Sequence, residues 1–122
     1  MLVDSHHHLW NLSEVNYPWL MEKGATRFFG DPTPIQRNYL LDEHISKLKP
    51  FKFNASVHVQ VGAEDGWQEA KWIDQIATNS KNWKIVQVAF CDLAAPDFLD
   101  KINKLSKFKS LRGVRQIIGR AE

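Results

Sequence analysis

Three consecutive histidines, His6, His7 and His8, follow the short apolar segment at the start of the chain. In an extended segment, side chains two residues apart share a face, so His6 and His8 are expected to point together and His7 away. Their Cα atoms would lie roughly 6–7 Å apart, a spacing from which two imidazoles can bind one metal ion. Asp4 is expected on the same face, one pleat earlier. The His-x-His pair therefore predicts two ligands of a metal site.

The histidine run also fits two simpler interpretations. It could be the remnant of a tag, or a set of solvated loop residues without a task. A catalytic zinc site usually has three protein ligands and a water, and the pair supplies only two. Spacing alone therefore leaves metal binding and these alternatives open.

His58 and Gln60 stand two residues apart near the end of a β-rich run, residues 53–61. In a parallel barrel the carboxyl ends of all strands face one pocket, so both side chains are expected to look into the same space as His6 and His8. The alternative for His58 is a hydrogen-bonded histidine of the core.

Arg115 and Gln116 lie in a later β-rich run, residues 111–118, and could join the same pocket. An arginine there would recognise an anionic or oxygen-rich ligand through its fork of N–H donors. A surface salt bridge is the alternative for Arg115, and the sequence leaves both open.

The segments that must position these side chains alternate between β-rich runs and runs with apolar residues at helical spacing. Strands are expected at residues 1–6, 53–61, 83–91 and 111–118. Apolar stripes at helical spacing follow Leu41, Asp65 and Pro96, and Asp65 resembles the start of a capping box with Gln68. Strands separated by helices, on a repeat of roughly 30 residues, predict an α/β fold built of parallel βα units.

A long segment, residues 11–40, interrupts this alternation. It contains several prolines and glycines and is rich in aromatic residues. A loop of this length inside a compact domain is more often functional than passive. It is therefore expected to pack over something rather than to be a solvated linker.

Composition narrows the class of protein. The 122 residues are 43% hydrophobic and 25% charged, with a net charge of +2, which predicts one soluble globular domain and gives no sign of nucleic-acid binding. No apolar run approaches the roughly 18 residues of a membrane span, and the start does not resemble a secretory signal, so a cytoplasmic protein is expected. The single cysteine, Cys91, excludes an internal disulfide and is expected to be a buried packing residue.

Several segments together resemble the start of the amidohydrolase-2 branch of the amidohydrolase superfamily. These are metal-dependent hydrolases with a TIM-barrel fold, and they include lactonases similar to those for L-rhamnono- and L-fucono-lactone. The resemblance covers essentially the whole chain. The segments that carry it are Val3–Trp10 (V-D-S-H-H-H-L-W), Tyr17–Leu20, Val57–Gln60, Cys91–Leu93 and Leu111–Gln116.

The resemblance implies a (β/α)₈ barrel in which His6 and His8 bind a divalent metal, most often zinc. His58, Gln60 and Arg115 match positions that tend to face the substrate in such enzymes. The implied reaction is hydrolysis of the ester C–O bond of a small sugar lactone. Superfamily relatives that decarboxylate aromatic acids provide an alternative activity.

The chain departs from this family in length. A TIM barrel takes about 250 residues, so residues 1–122 are expected to form one partial barrel domain of about four βα units, the N-terminal half. The histidine and aspartate that relatives carry on later strands have no counterpart, so the catalytic residues are unknown and this chain alone is expected to be inactive. The expected partner is a second copy or a missing C-terminal half. The competing interpretation is a truncated, non-catalytic half-barrel that self-associates or serves as a binding module.

Overall fold

The computed structural model of the chain describes residues 1–119. Strands and helices alternate as predicted, with ends that differ from the expected ones by at most three residues. No helix in this part of the chain is long and apolar enough to cross a membrane. The strands are β1 (Leu2–His7), β2 (Phe53–Val59), β3 (Lys84–Phe90) and β4 (Leu111–Arg115), and the helices are α1 (Pro18–Met21), α2 (Leu41–Leu48), α3 (Gly66–Asn79) and α4 (Phe98–Leu105), with 3₁₀ turns at Thr33–Ile35 and Lys49–Phe51.

The four strands form one sheet in the order β1-β2-β3-β4, and every neighbouring pair is parallel. Each strand is joined to the next through a helix, which is the connection that parallel neighbours require. The predicted α/β fold of parallel βα units is therefore confirmed. Within the described residues, β1 and β4 each have a single neighbouring strand.

The helices cover one face of this sheet. Along β3, Ile85, Gln87 and Ala89 are buried, whereas Val86 and Val88 between them are partly exposed. Side chains alternate between faces along a strand, so the first three face the helices. Their neighbours form two buried clusters, one of Leu9, Leu41, Ile73, Trp83 and Ile85, and one of Ala70, Ala89, Cys91 and Leu105. Cys91 is thus the buried packing residue that the sequence predicts.

Asp65 caps the start of α3, as predicted. Its side chain accepts a hydrogen bond from the backbone N–H of Trp67 at 2.9 Å. Such a cap satisfies one of the free N–H groups of the first turn and stabilises a helix by about 1 kcal/mol. The helix then presents Ala70 and Ile73 to the core, both fully buried.

The loop of residues 11–40 is packed, in agreement with the prediction. Val15, Tyr17 and Leu20 form a buried cluster of their own. The loop is closed at its base by an antiparallel bridge between Trp10 and Tyr39, whose backbone groups exchange hydrogen bonds of 3.0 and 2.9 Å. The bridge returns the chain to the end of β1 before α2 begins.

A bulge interrupts β1. Asp4 pairs with Ser56 and His7 pairs with His58, so a step of three residues in β1 is opposite a step of two in β2. An extra residue reverses the alternation of side chains beyond it. Asp4 and His7 therefore face the same side, towards α2, and the expectation that Asp4 shares a face with His6 and His8 was wrong.

Candidate functional site

All five histidines of the chain gather at the carboxyl end of β1. The ring centroids of His7 and His44 lie 4.1 Å apart, and those of His6 and His8 lie 5.1 Å apart. His58 completes the group, with its ring 5.9 Å from that of His7 and 6.4 Å from that of His8. Residues from β1, α2 and β2 thus form one continuous histidine cluster.

The side chain of His8 is held by a backbone carbonyl group of β2. Its Nδ1 lies 2.7 Å from the carbonyl oxygen of Val59. A carbonyl only accepts hydrogen bonds, so Nδ1 carries a proton and, in the neutral ring, Nε2 keeps a free lone pair. Burial lowers the pKa of His8, although the bond to Val59 opposes this, and the ring is neutral at pH 7. Metal-binding histidines characteristically donate their second ring nitrogen in this way.

His6 lies beside His8, as the alternation predicts, and is exposed. Together the two rings offer two nitrogen donors. Among residues 1–119 there is no group of three or more His, Cys, Asp or Glu that could hold a metal ion. A divalent ion bound by these two donors would need other ligands at its remaining positions.

His58 is fully buried and uses both ring nitrogens within the protein. Its Nδ1 accepts the backbone N–H of Leu9 at 3.1 Å, so that nitrogen has no proton and Nε2 must carry one. Nε2–H donates to the carboxylate of Glu69 at 2.8 Å, and the same carboxylate accepts from Val61 N at 3.2 Å. These contacts are those of a hydrogen-bonded core histidine.

His58 does not look into the same space as His6 and His8, contrary to the expectation, whereas for Gln60 that expectation stays a prediction. Neighbouring residues in a parallel sheet point to the same face, and His58 is opposite Gln87, whose side chain donates to Ala70 O of α3. His58 therefore faces the helices. A role for His58 in contacting substrate stays a prediction.

Gln60 and Arg115 meet at the end of β2. The Gln60 side chain is buried and its Oε1 accepts from Gly62 N at 2.9 Å. Nη2 of Arg115 donates to the carbonyl oxygen of Gln60, and the positive charge contributes to lowering the pKa of His8. Within the part of the chain that the structure describes, Arg115 has no carboxylate partner. Its positive charge is therefore not neutralised by an ion pair there, and it acts on His8.

A second histidine–carboxylate pair lies on the same face of the sheet, between β1 and α2. Nε2 of His44 is 3.0 Å from Oδ2 of Asp4, and its Nδ1 is 3.0 Å from the hydroxyl of Tyr39. The other carboxylate oxygen of Asp4 accepts from the backbone N–H of His6 at 3.2 Å. The carboxylate thereby joins α2 to the backbone of a candidate metal ligand.

His7 is buried between His44 and His58, and neither of its ring nitrogens has a hydrogen-bond partner among the described residues. Burial, more than the neighbouring histidines, lowers its pKa to about 2. An unpaired buried polar group costs about 1–3 kcal/mol. His7 is therefore neutral and a source of instability within the cluster.

A cavity of about 410 Å³ opens beside the cluster. Its walls combine the histidines of β1 with aromatic side chains, a combination suited to a small polar ligand. A larger cavity of about 770 Å³, next to Trp67 and the lysines of α4, contains no histidine. The residues that line the smaller cavity are Asp4, His6, His7, His8, Trp10, Pro34, Ile35, Arg37, Tyr39, His44 and Lys47.

His44, Tyr39 and Glu69 were not among the predicted site residues. A signal exists for two of them. His44 is three residues after Leu41 and Glu69 four before Ile73, so both fall on the apolar stripe of a helix. A charged or titratable residue on such a stripe must find a buried partner.

No protein-family model matches the chain, and no solved structure matches it. The chain is similar to an uncharacterized protein, y4mH, of Sinorhizobium fredii, with 30% identity over 117 residues. The match covers 94% of this chain and 39% of that protein. The chain therefore spans well under half the length of this relative.

Proposed function

We propose that this chain is the N-terminal half of a (β/α)₈ barrel of the amidohydrolase type, and that the complete enzyme hydrolyses a small sugar lactone. Three features support the proposal. The four strands are parallel and joined by helices, the helices lie on one face of the sheet, and the polar cluster lies at the carboxyl end of β1. In a barrel of this kind, active-site residues lie at that end of the strands.

The observation that carries the proposal is the state of His8. Its proton is on Nδ1, which donates to Val59 O. Its Nε2 therefore carries a lone pair that can bind a metal ion, and the ring lies next to that of His6. A divalent ion, most simply zinc, would be held by His6 and His8. When bound, it would supply polarisation of the lactone carbonyl.

The residues around the pair would bind and orient the substrate. The cavity of about 410 Å³ is of a size that takes a small ring. Trp10 and Tyr39 form aromatic walls of this cavity. Arg115 does not line it, but its positive charge acts on His8, and its guanidinium would orient an oxygen-rich substrate that reaches this histidine. The packed loop of residues 11–40 would keep water away from one side of the site.

Zinc binding to the purified chain tests the proposal. We expect isothermal titration calorimetry to detect one ion per chain, and His6→Ala and His8→Ala each to weaken binding at least tenfold. His7→Phe is the matched control, because His7 is expected to contribute no ligand, and it should bind zinc as the original chain does. Unchanged zinc affinity in the double variant His6→Ala/His8→Ala would contradict the metal site.

A panel of sugar lactones and aromatic carboxylic acids, offered to the complete protein, would then separate hydrolysis from decarboxylation.

The sheet itself favours a second candidate function, a half-barrel that works by self-association. Among the described residues, β1 and β4 are both edge strands, and the sheet face opposite the helices carries Val57, Val86 and Val88, all partly exposed. Unpaired edges beside apolar surface are a template for pairing with another chain. Light scattering over a range of concentrations tests this candidate, with a dimer or larger assembly as the expected result and a monomer throughout as the contrary one.

A further inference from the structure

Tyr39, His44 and Asp4 form a row of hydrogen bonds. The Tyr39 hydroxyl is 3.0 Å from Nδ1 of His44, and Nε2 of the same ring is 3.0 Å from a carboxylate oxygen of Asp4. A carboxylate accepts, so Nε2 carries the proton. Burial lowers the pKa of His44, although Asp4 opposes this, and the ring is neutral at pH 7. Nδ1 therefore accepts the phenol O–H and is free to take its proton.

The row is held rigidly. The backbone of Tyr39 is fixed to Trp10 by two hydrogen bonds, and the ring of His44 is buried and stacked on that of His7. A nucleophile, a base within hydrogen-bond reach and a third group that orients the base are the three parts of an activated nucleophile. The structure provides each of them on a different segment: the loop, α2 and β1.

Two cations flank the phenol ring. Nζ of Lys47 is 4.8 Å from the centroid of the Tyr39 ring, and the guanidinium carbon of Arg37 is 5.9 Å from it. Both also contact the carboxylate of Glu43, which holds them in place and offsets part of their charge. Negative charge that develops on the phenol oxygen would thus arise beside positive charge.

The row is open to small molecules, because Tyr39, His44 and Asp4 all line the cavity of about 410 Å³. We propose that Tyr39 is a nucleophile that accepts an acyl group from an activated ester, with His44 as its general base and Asp4 as the residue that positions the base. The proposal goes beyond the lactonase proposal and needs no metal ion.

The proposed step transfers an acyl group. The phenol oxygen of Tyr39 forms a bond to the acyl carbon while its proton moves to Nδ1 of His44. The bond between the acyl carbon and the leaving oxygen breaks, and His44 returns the proton to that oxygen. Water then hydrolyses the tyrosyl ester by the same sequence, which restores the phenol and releases the acid.

The experiment treats the chain with p-nitrophenyl acetate, stops the reaction with acid at early times before the tyrosyl ester is hydrolysed, and follows acetylation of each tyrosine by peptide mass spectrometry. N-acetyltyrosine amide under the same conditions gives the reference rate. General-base assistance is worth about 10²–10⁴ in rate, so we expect Tyr39 to be acetylated about 100-fold faster than the reference. Tyr17, the second tyrosine, is fully buried and should stay unmodified.

Variants assign the roles. His44→Phe should reduce acetylation of Tyr39 to the reference rate, and Asp4→Asn should reduce it about tenfold, with circular dichroism as the check on folding. Acetylation of Tyr39 in the original chain no faster than the reference would overturn the proposal, whatever the variants do. A chelator separates this proposal from the metal site, because it should leave the labelling rate unchanged. A rate that collapses with chelator would overturn a metal-independent nucleophile.

Discussion

The carboxylate of Glu69 in α3 lies 2.8 Å from Nε2 of His58 in β2. This buried contact orients the His58 ring, which in turn holds the chain at the end of β1. The opposite nitrogen of the His58 ring accepts the backbone N–H of Leu9, the residue after His8. Between β1 and α2, the carboxylate of Asp4 contacts His44 Nε2 and also accepts the backbone N–H of His6. One histidine–carboxylate pair thus holds the backbone of His6, and the other holds the backbone of Leu9, the residue after His8.

Removing the Glu69 carboxylate should destabilise the protein. Glu69→Ala leaves the N–H groups of His58 and Val61 without an acceptor in the interior, and each unsatisfied buried donor costs about 1–3 kcal/mol. Glu69→Gln keeps one acceptor oxygen and should cost about half as much. Urea denaturation at pH 7 measures both. Glu14→Gln, at an exposed position, is the control and should stay within about 0.5 kcal/mol of the original chain; a similarly small change for Glu69→Ala would contradict the buried pair.

The hydrogen bonds of His8 and His58 predict opposite tautomers. His8 donates from Nδ1 to Val59 O, whereas His58 accepts at Nδ1 from Leu9 N. Nitrogen NMR of the imidazole rings at pH 7 should therefore show His8 protonated at Nδ1 and His58 protonated at Nε2. Zinc should then shift the Nε2 resonance of His8 and leave His58 unchanged. Protonation of His8 at Nε2 would remove the argument that this nitrogen is a ready ligand.

His7 should make stability depend on pH in the acid range. Its pKa is about 2 in the folded chain and 6.5 when the ring is free, so between these values the unfolded state binds one more proton than the folded state. The free energy of unfolding therefore falls as pH falls below 6.5, by about 1.4 kcal/mol per unit, and this loss continues towards pH 2. From pH 6.5 to 5 the loss from His7 is about 2 kcal/mol.

His7→Phe tests this pH dependence. It keeps a ring against His44 and has no nitrogen to protonate, and His7 has no hydrogen-bond partner to lose in the described part of the chain. Urea denaturation at pH 7, 6 and 5 should give a flatter dependence for the variant, with similar or higher stability at pH 7. Equal slopes for the two proteins would show that the buried ring of His7 does not set the acid response.

The fold follows from the sequence because its signals are local. The stripe beginning at Leu41, the cap at Asp65 and the β-rich run at residue 53 each specify an element from a few neighbouring residues. Side-chain directions were harder to predict. The bulge at residues 5–6 turns Asp4 towards α2, and no glycine or proline marks it in the sequence.

The candidate site was predictable only in part, because its partners come from distant segments. The pairing of His6 with His8 depends on a spacing of two residues and could be predicted. The bond from His58 to Glu69 depends on how α3 packs against β2, and the bond from Tyr39 to His44 depends on where the loop returns. Such contacts join residues whose separation in the chain carries no periodic signal.

The edge of β1 supplies a test of self-association. Val3 is apolar, 43% exposed and belongs to a strand with a single neighbour in the described chain. A lysine on an edge strand opposes pairing with another chain, because its charge would be desolvated in the new sheet. If copies of this chain associate through β1, Val3→Lys should convert the assembly into a monomer in light scattering. The free energy of unfolding of the monomer, measured by urea denaturation, should change by less than about 1 kcal/mol, as is usual for an exposed position. Leu99→Lys on α4, 64% exposed, is the control and should leave the assembly intact. An assembly that survives Val3→Lys would place the interface away from β1, and equal dissociation by both variants would show only a general effect of added charge.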